Sequence, residues 1–113
     1  MPVVQKRVLK YLLPLAVLCS VSAFAAAGDF EIVIRDHRFE PSVLEIPAGQ
    51  RVKIVVRNLD VTPEEFESYE LRREKIIAGN STAIIYVGPL KPGTYAFFGE
   101  FNPATAQGRL IVK

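Results

Sequence analysis

YAFFGEFNPATAQGRLIVK, residues 95–113, decides how this chain is read. Tyr95-Ala96-Phe97-Phe98 forms an aromatic strand, residues 99–107 form a loop, and Gly108 opens a short apolar strand through Leu110, Ile111 and Val112. A loop held between two strands in this way is suited to gripping a ligand, commonly a metal. This one carries no cysteine, histidine or methionine. Its polar side chains are hard oxygen donors instead: Glu100, the Asn102 amide and the Gln107 amide.

Working outward, the chain from residue 30 onward is a series of short alternating runs. Phe30, Ile32 and Ile34 share one face of a strand, and Val52, Ile54 and Val56 share one face of another. Val43-Leu44-Glu45-Ile46, Thr82 to Val87 and Thr94 to Phe98 supply further strands. Pro47-Ala48-Gly49, Ala78-Gly79-Asn80 and Pro89-Leu90-Lys91-Pro92-Gly93 supply turns between them. This pattern predicts an all-β, Greek-key β-sandwich of about seven strands. One segment departs from it. Thr62 as N-cap, Pro63 at the first helical position and Glu65 reaching back predict one helical turn near 62–66, followed by an extended run from Glu67 to Lys75.

The N-terminus reads as a targeting signal. Lys6, Arg7 and Lys10 precede the apolar run 11–24, which is interrupted by Pro14 and followed by small residues. Cleavage is expected after Ala25 or Ala27, with a retained N-terminal anchor as the alternative. Residues 1–27 are therefore assigned to a signal peptide and 28–113 to a single domain, with a periplasmic location and no transmembrane segment after cleavage. Removing the signal leaves 86 of the 113 residues, enough for one small domain. Three of the 14 basic residues lie in the signal, leaving 11 against 12 acidic ones. A near-neutral domain lacks the basic footprint of a nucleic-acid binder. Cys19 and Met1 also lie in the signal, so the domain has neither a disulfide nor a soft metal ligand.

Two segments together resemble a cupredoxin: Arg57 to Phe66, with Asn58 at a strand end, and the aromatic strand, loop and Gly108 strand quoted first. The resemblance implies that the first histidine of a type 1 copper site falls on Glu64, the cysteine on Gly99, the second histidine on Asn102 and the methionine on Gln107. No thiolate stands there, so type 1 copper chemistry is not expected. A narrower match is to small periplasmic cupredoxin-like proteins of the EfeO type. It rests on the run from Glu64 to Lys75, the turn Gly88 to Gly93, and the loop FFGEF-x-P-x-T-A-Q-G. That resemblance implies iron or Cu(II) handling beside an iron permease or other periplasmic iron-uptake components.

The candidate metal ligands are Glu64, Glu65, Glu67, Glu100, His37 and Asn102. Glu65 and Glu67 share a side if the segment is extended. The competing reading of the acidic run 64–74 is a solvated edge paired with Arg72, Arg73 and Lys75, contributing ~0–1 kcal/mol per pair. His37 joins the set if its turn lies at the same end as the 58–66 and 99–107 loops. No nucleophile–base pair, phosphate cradle or cofactor fingerprint is present, so no enzymatic activity is expected. The two functional expectations are a metal-handling accessory of iron uptake and a metal-free interaction module, the latter presenting Phe101 and the acidic edge to a permease or periplasmic partner.

Overall fold

The computed structural model describes residues 30–113; the expected signal segment and its expected cleavage points lie outside them. Nine strands form two packed sheets: β1 Phe30–Arg35, β2 Arg38–Glu40, β3 Val43–Ile46, β4 Val52–Asn58, β5 Glu64–Ser68, β6 Arg73–Ile77, β7 Ser81–Val87, β8 Gly93–Gly99 and β9 Gln107–Val112. One sheet runs β2-β1-β4-β7 and the other β3-β9-β8-β5-β6. β1 lies parallel to β4 and β3 parallel to β9, while the remaining pairs are antiparallel. The expected all-β sandwich is what the chain forms, with more strands than the periodicity announced.

The inward faces follow from alternation. Val52, Ile54 and Val56 of β4 are buried, as are Ile32 and Ile34 of β1. β-branched side chains favour this pleated, half-buried setting. Across the core, Phe66 of β5 stacks on Phe97 of β8 with centroids 4.8 Å apart, and Phe39 of β2 meets both rings edge-on. The three rings fill the sandwich directly beneath the loops at one end.

No helical turn forms at 62–66, and among the described residues there is no helix. β5 begins at Glu64 and points Glu64, Phe66 and Ser68 inward. Burial of Phe66, with pairing to both β6 and β8, outweighs the local helix-start signals of Thr62, Pro63 and Glu65. The expected extended run from Glu67 to Lys75 is also corrected. It is a hairpin, turning through residues 69–72 with Arg72 at φ 56° and pairing Glu67 with Glu74. β2 is the other addition. It follows Asp36 and His37, which carry the two positive φ angles of a tight hairpin turn.

The end of β4 is pinned by Asn58, which is fully buried. Its amide donates to the carbonyls of Thr62, Ile77 and Ala78 at 2.9, 3.2 and 3.3 Å, and its Oδ1 accepts from Asp60 N at 3.0 Å. The crossover from β4 to β5 and the exit of β6 are thereby fixed to one side chain. Gly79 lets the chain pass here, since a Cβ would sit 2.0 Å from the Val61 carbonyl oxygen.

Because Phe66 is enclosed by aromatic partners, Phe66→Ala is expected to destabilise the domain by about 3–5 kcal/mol. Urea unfolding followed by tyrosine fluorescence measures this. A loss below about 1 kcal/mol would show that the ring cluster is not the centre of the core.

Candidate functional site

Two loops meet at the end of the sandwich above the aromatic cluster: residues 59–63 before β5 and 100–106 after β8. Glu64, the first residue of β5, points inward and is 1% exposed. Its Oε1 accepts from the backbone N–H groups of Glu65 and Phe101, each at 2.9 Å. Its Oε2 accepts from the Asn102 amide at 2.9 Å. The loop is a tight structure in its own right. Asn102 N donates to the Gly99 carbonyl, and Thr105 N and Ala106 N donate to the Asn102 carbonyl. Gly99 is opposite Phe66 in the ladder and leaves room for the carboxylate, because a Cβ there would lie 2.6 Å from Glu64 Cδ and 2.6 Å from Ala106 Cβ.

The Asp36-His37 turn lies at this same end. Asp60 accepts from Asp36 N at 2.8 Å and His37 N at 2.9 Å, and Thr105 donates its hydroxyl to the His37 carbonyl at 2.6 Å. The imidazole Nδ1 is 3.6 Å from Asp60 Oδ2. Burial acts to raise the Asp60 pKa, but the N–H donors of His37 and Asp36 outweigh it and hold the carboxyl below its usual range.

A second group occupies the outer face of the β5–β6 hairpin. Glu65 and Glu67 alternate with the buried residues of β5, and Glu67 faces Glu74 directly. Oxygen atoms of Glu65, Glu67 and Glu74 all lie within 4.8 Å of one another. Arg73 turns away from them, donating Nε to the Tyr86 carbonyl at 2.8 Å and Nη1 to the Arg72 carbonyl at 3.0 Å. Among the described residues no basic side chain forms an ion pair with the three acids. Partial burial on the sheet face, then the charges of Glu74 and Glu100, push Glu65 above the usual carboxylate range. Partial burial and Glu74, with smaller contributions from Glu65 and Glu100, raise Glu67 in the same way.

The six residues singled out in the sequence thus separate. Glu64 and Asn102 join inside the pole; Glu65 and Glu67 gather outside with Glu74; Glu100 adds its charge to that outer group. Its backbone N–H also donates to the Glu65 carbonyl. His37 reaches the right end of the sandwich but is engaged by Asp60. Glu74 was missed as a ligand because its position depends on the hairpin register, which only the turn at 69–72 sets. Gln107, at the place where the resemblance puts a methionine, donates its amide to the Pro103 carbonyl.

Asp60 organises the turn in its ionised form, so its contribution is present above the usual carboxylate range and is lost as pH falls through the depressed value. Asp60→Ala is expected to cost about 1–3 kcal/mol at pH 7. The gap between variant and parent should shrink on acidification, as read from urea midpoints over a pH series. A gap that stays constant down to the acid limit would remove Asp60 from this role.

Comparison with known proteins places the chain in a family. A family model described as a cupredoxin-like domain matches residues 9–112. The uncharacterized protein RP394 of Rickettsia prowazekii (strain Madrid E) is 44% identical over 84 residues, covering 74% of this chain and 67% of that one. Among solved structures, the metal binding domain of the Cu(I) exporting P-type ATPase CopA of Streptococcus pneumoniae D39, with Cu(I), superposes with TM-score 0.67 at 15% identity. That match covers 75% of this chain and 84% of that domain. A Cu(I) amicyanin variant gives TM-score 0.63 at 14% identity, covering 75% and 82% of the two chains. The structural likenesses show the fold, and the family match extends over most of the sequence: this chain belongs to the cupredoxin-like domain family.

Proposed function

We propose that this protein is a non-catalytic, periplasmic metal-handling member of the cupredoxin-like family, binding its cation through carboxylate oxygens on the outer face of the β5–β6 hairpin. One observation carries this reading: Glu65, Glu67 and Glu74 bring oxygen atoms within 4.8 Å of one another with no basic side chain paired to them among the described residues. Like charges facing across a hairpin are destabilising. A bound cation removes that repulsion and uses oxygen donors already gathered.

Oxygen ligands suit hard or borderline cations, and Cu(II) leads the divalent series in raw affinity. The EfeO-type resemblance of the 64–75 run and the 98–108 loop supports iron as the physiological cargo, and an iron permease or its periplasmic companions as partners. A type 1 copper centre at the loop pole does not fit this chain. A carboxylate, a glycine and an amide stand where the resemblance places two imidazoles and a thiolate, and the Glu64 carboxylate lies over Gly99. A metal-free docking module is the second reading. It is favoured by the exposure of Phe101 (46%) and of Tyr69 (75%), which packs edge-on against Phe98.

The raised carboxyls give a defined pH response. Folded protein holds protons on Glu65 and Glu67 above the ordinary value of 4.5, so metal-free stability falls as pH rises from there through the raised values. Cation affinity rises over the same window, because protons and metal compete for the same oxygens. Calorimetric titration with Cu(II) and with Fe(II) should show binding at pH 7 that weakens on acidification. Glu67→Gln combined with Glu74→Gln should reduce affinity at least about ten-fold while raising metal-free stability. Absence of binding by either ion, or affinity unchanged in the double variant, would leave the docking module as the better reading.

A further inference from the structure

We propose that the loop pole is a carboxylate-binding nest whose resident ligand is the chain's own Glu64. Three N–H donors from two separate segments converge there: the backbone amides of Glu65 and Phe101 on Oε1, and the Asn102 side-chain amide on Oε2, all at 2.9 Å. Backbone amides aimed at one point form an anion-binding concavity. The Asn102 backbone carbonyl is engaged by Thr105 N and Ala106 N, which closes the loop that carries the amide. With N–H donors facing inward, a cation replacing the carboxylate would meet the positive ends of the dipoles.

Gly99 belongs to the nest as well. A methyl group at that position would lie 2.6 Å from the carboxylate carbon and 2.7 Å from Oε2, so its missing side chain makes the space that the anion fills. This pole is therefore opposite in ligand sign to the outer hairpin face, although both use β5. The inference does not rest on metal binding at that outer face; either can fail while the other stands.

The chemistry provides a direct test. Glu64→Ala removes Cγ, Cδ and two oxygens, which are the heavy atoms of acetate. The variant should unfold at lower temperature and lower urea than the parent. Acetate should restore it in a saturable way, raising the folded-to-unfolded ratio about eleven-fold at ten times its dissociation constant. Acetamide and chloride at equal concentration should not. Undiminished stability of Glu64→Ala, no rescue of a folded variant by acetate, or equal rescue by chloride would each overturn the proposal. If the variant does not fold even in acetate, the Glu65 and Phe101 amide signals of the parent protein decide. They should be protected from solvent exchange; free exchange overturns the nest.

Discussion

A carboxylate enclosed in a protein must find hydrogen-bond donors, because burying an unsatisfied charge costs more than a small domain can bear. The buried Glu64 imposes that constraint on everything around it. Its inward orientation sets the alternation of β5, which sends Phe66 into the core and Glu65 and Glu67 to the outside. Phe66 in turn meets Phe97, and the ladder places Gly99 opposite Phe66, directly below the carboxylate. The loop that follows must then fold back so that Phe101 N and Asn102 can reach the two oxygens. The aromatic core and the acidic outer face are consequences of one strand orientation.

Neighbouring loops are tied to this pole by polar side chains. Asn58 binds the carbonyls near the end of the crossover and at the end of β6, Asp60 holds the N–H groups of the 36–37 turn, and Thr105 reaches the carbonyl of His37. Each of these bonds joins segments distant in the chain or closes a connection between the sheets. Together they hold the loops in place through the protein's own groups, in a fold whose similar solved structures carry copper. The outer hairpin is built in the opposite manner, with facing acids left uncompensated while Arg73 reaches across to β7.

Much of the fold was legible in the sequence because its strands are written in β-branched and aromatic alternation. β1, β4, β7, β8 and β9 could be read from period two and their turns. β5 and β6 could not. Glu64 occupies an inward position that an apolar pattern search rejects, and Thr62, Pro63 and Glu65 form a convincing local helix start. The donors that make Glu64 an acceptable inward residue lie nearly forty positions away, at Phe101 and Asn102. The resemblance placed Glu64, Gly99 and Asn102 at corresponding ligand positions, and the structure does bring these three together. The outer cluster was half visible: Glu65 and Glu67 follow from strand spacing, whereas Glu74 depends on a turn with Arg72 in a left-handed conformation.

The parallel pairing of β3 with β9 has a consequence for how the molecule is made. Val43 is aligned with Arg109 and Ile46 with Val112, and Lys113 exchanges backbone hydrogen bonds with the Ile46–Ala48 segment. During synthesis β3 has no partner strand until more than sixty further residues have emerged, so its sheet stays unsealed until β9 is made. Such long-range closure slows folding and prolongs exposure of apolar strands. A nascent chain of this topology benefits from being held extended until β9 is free to pair.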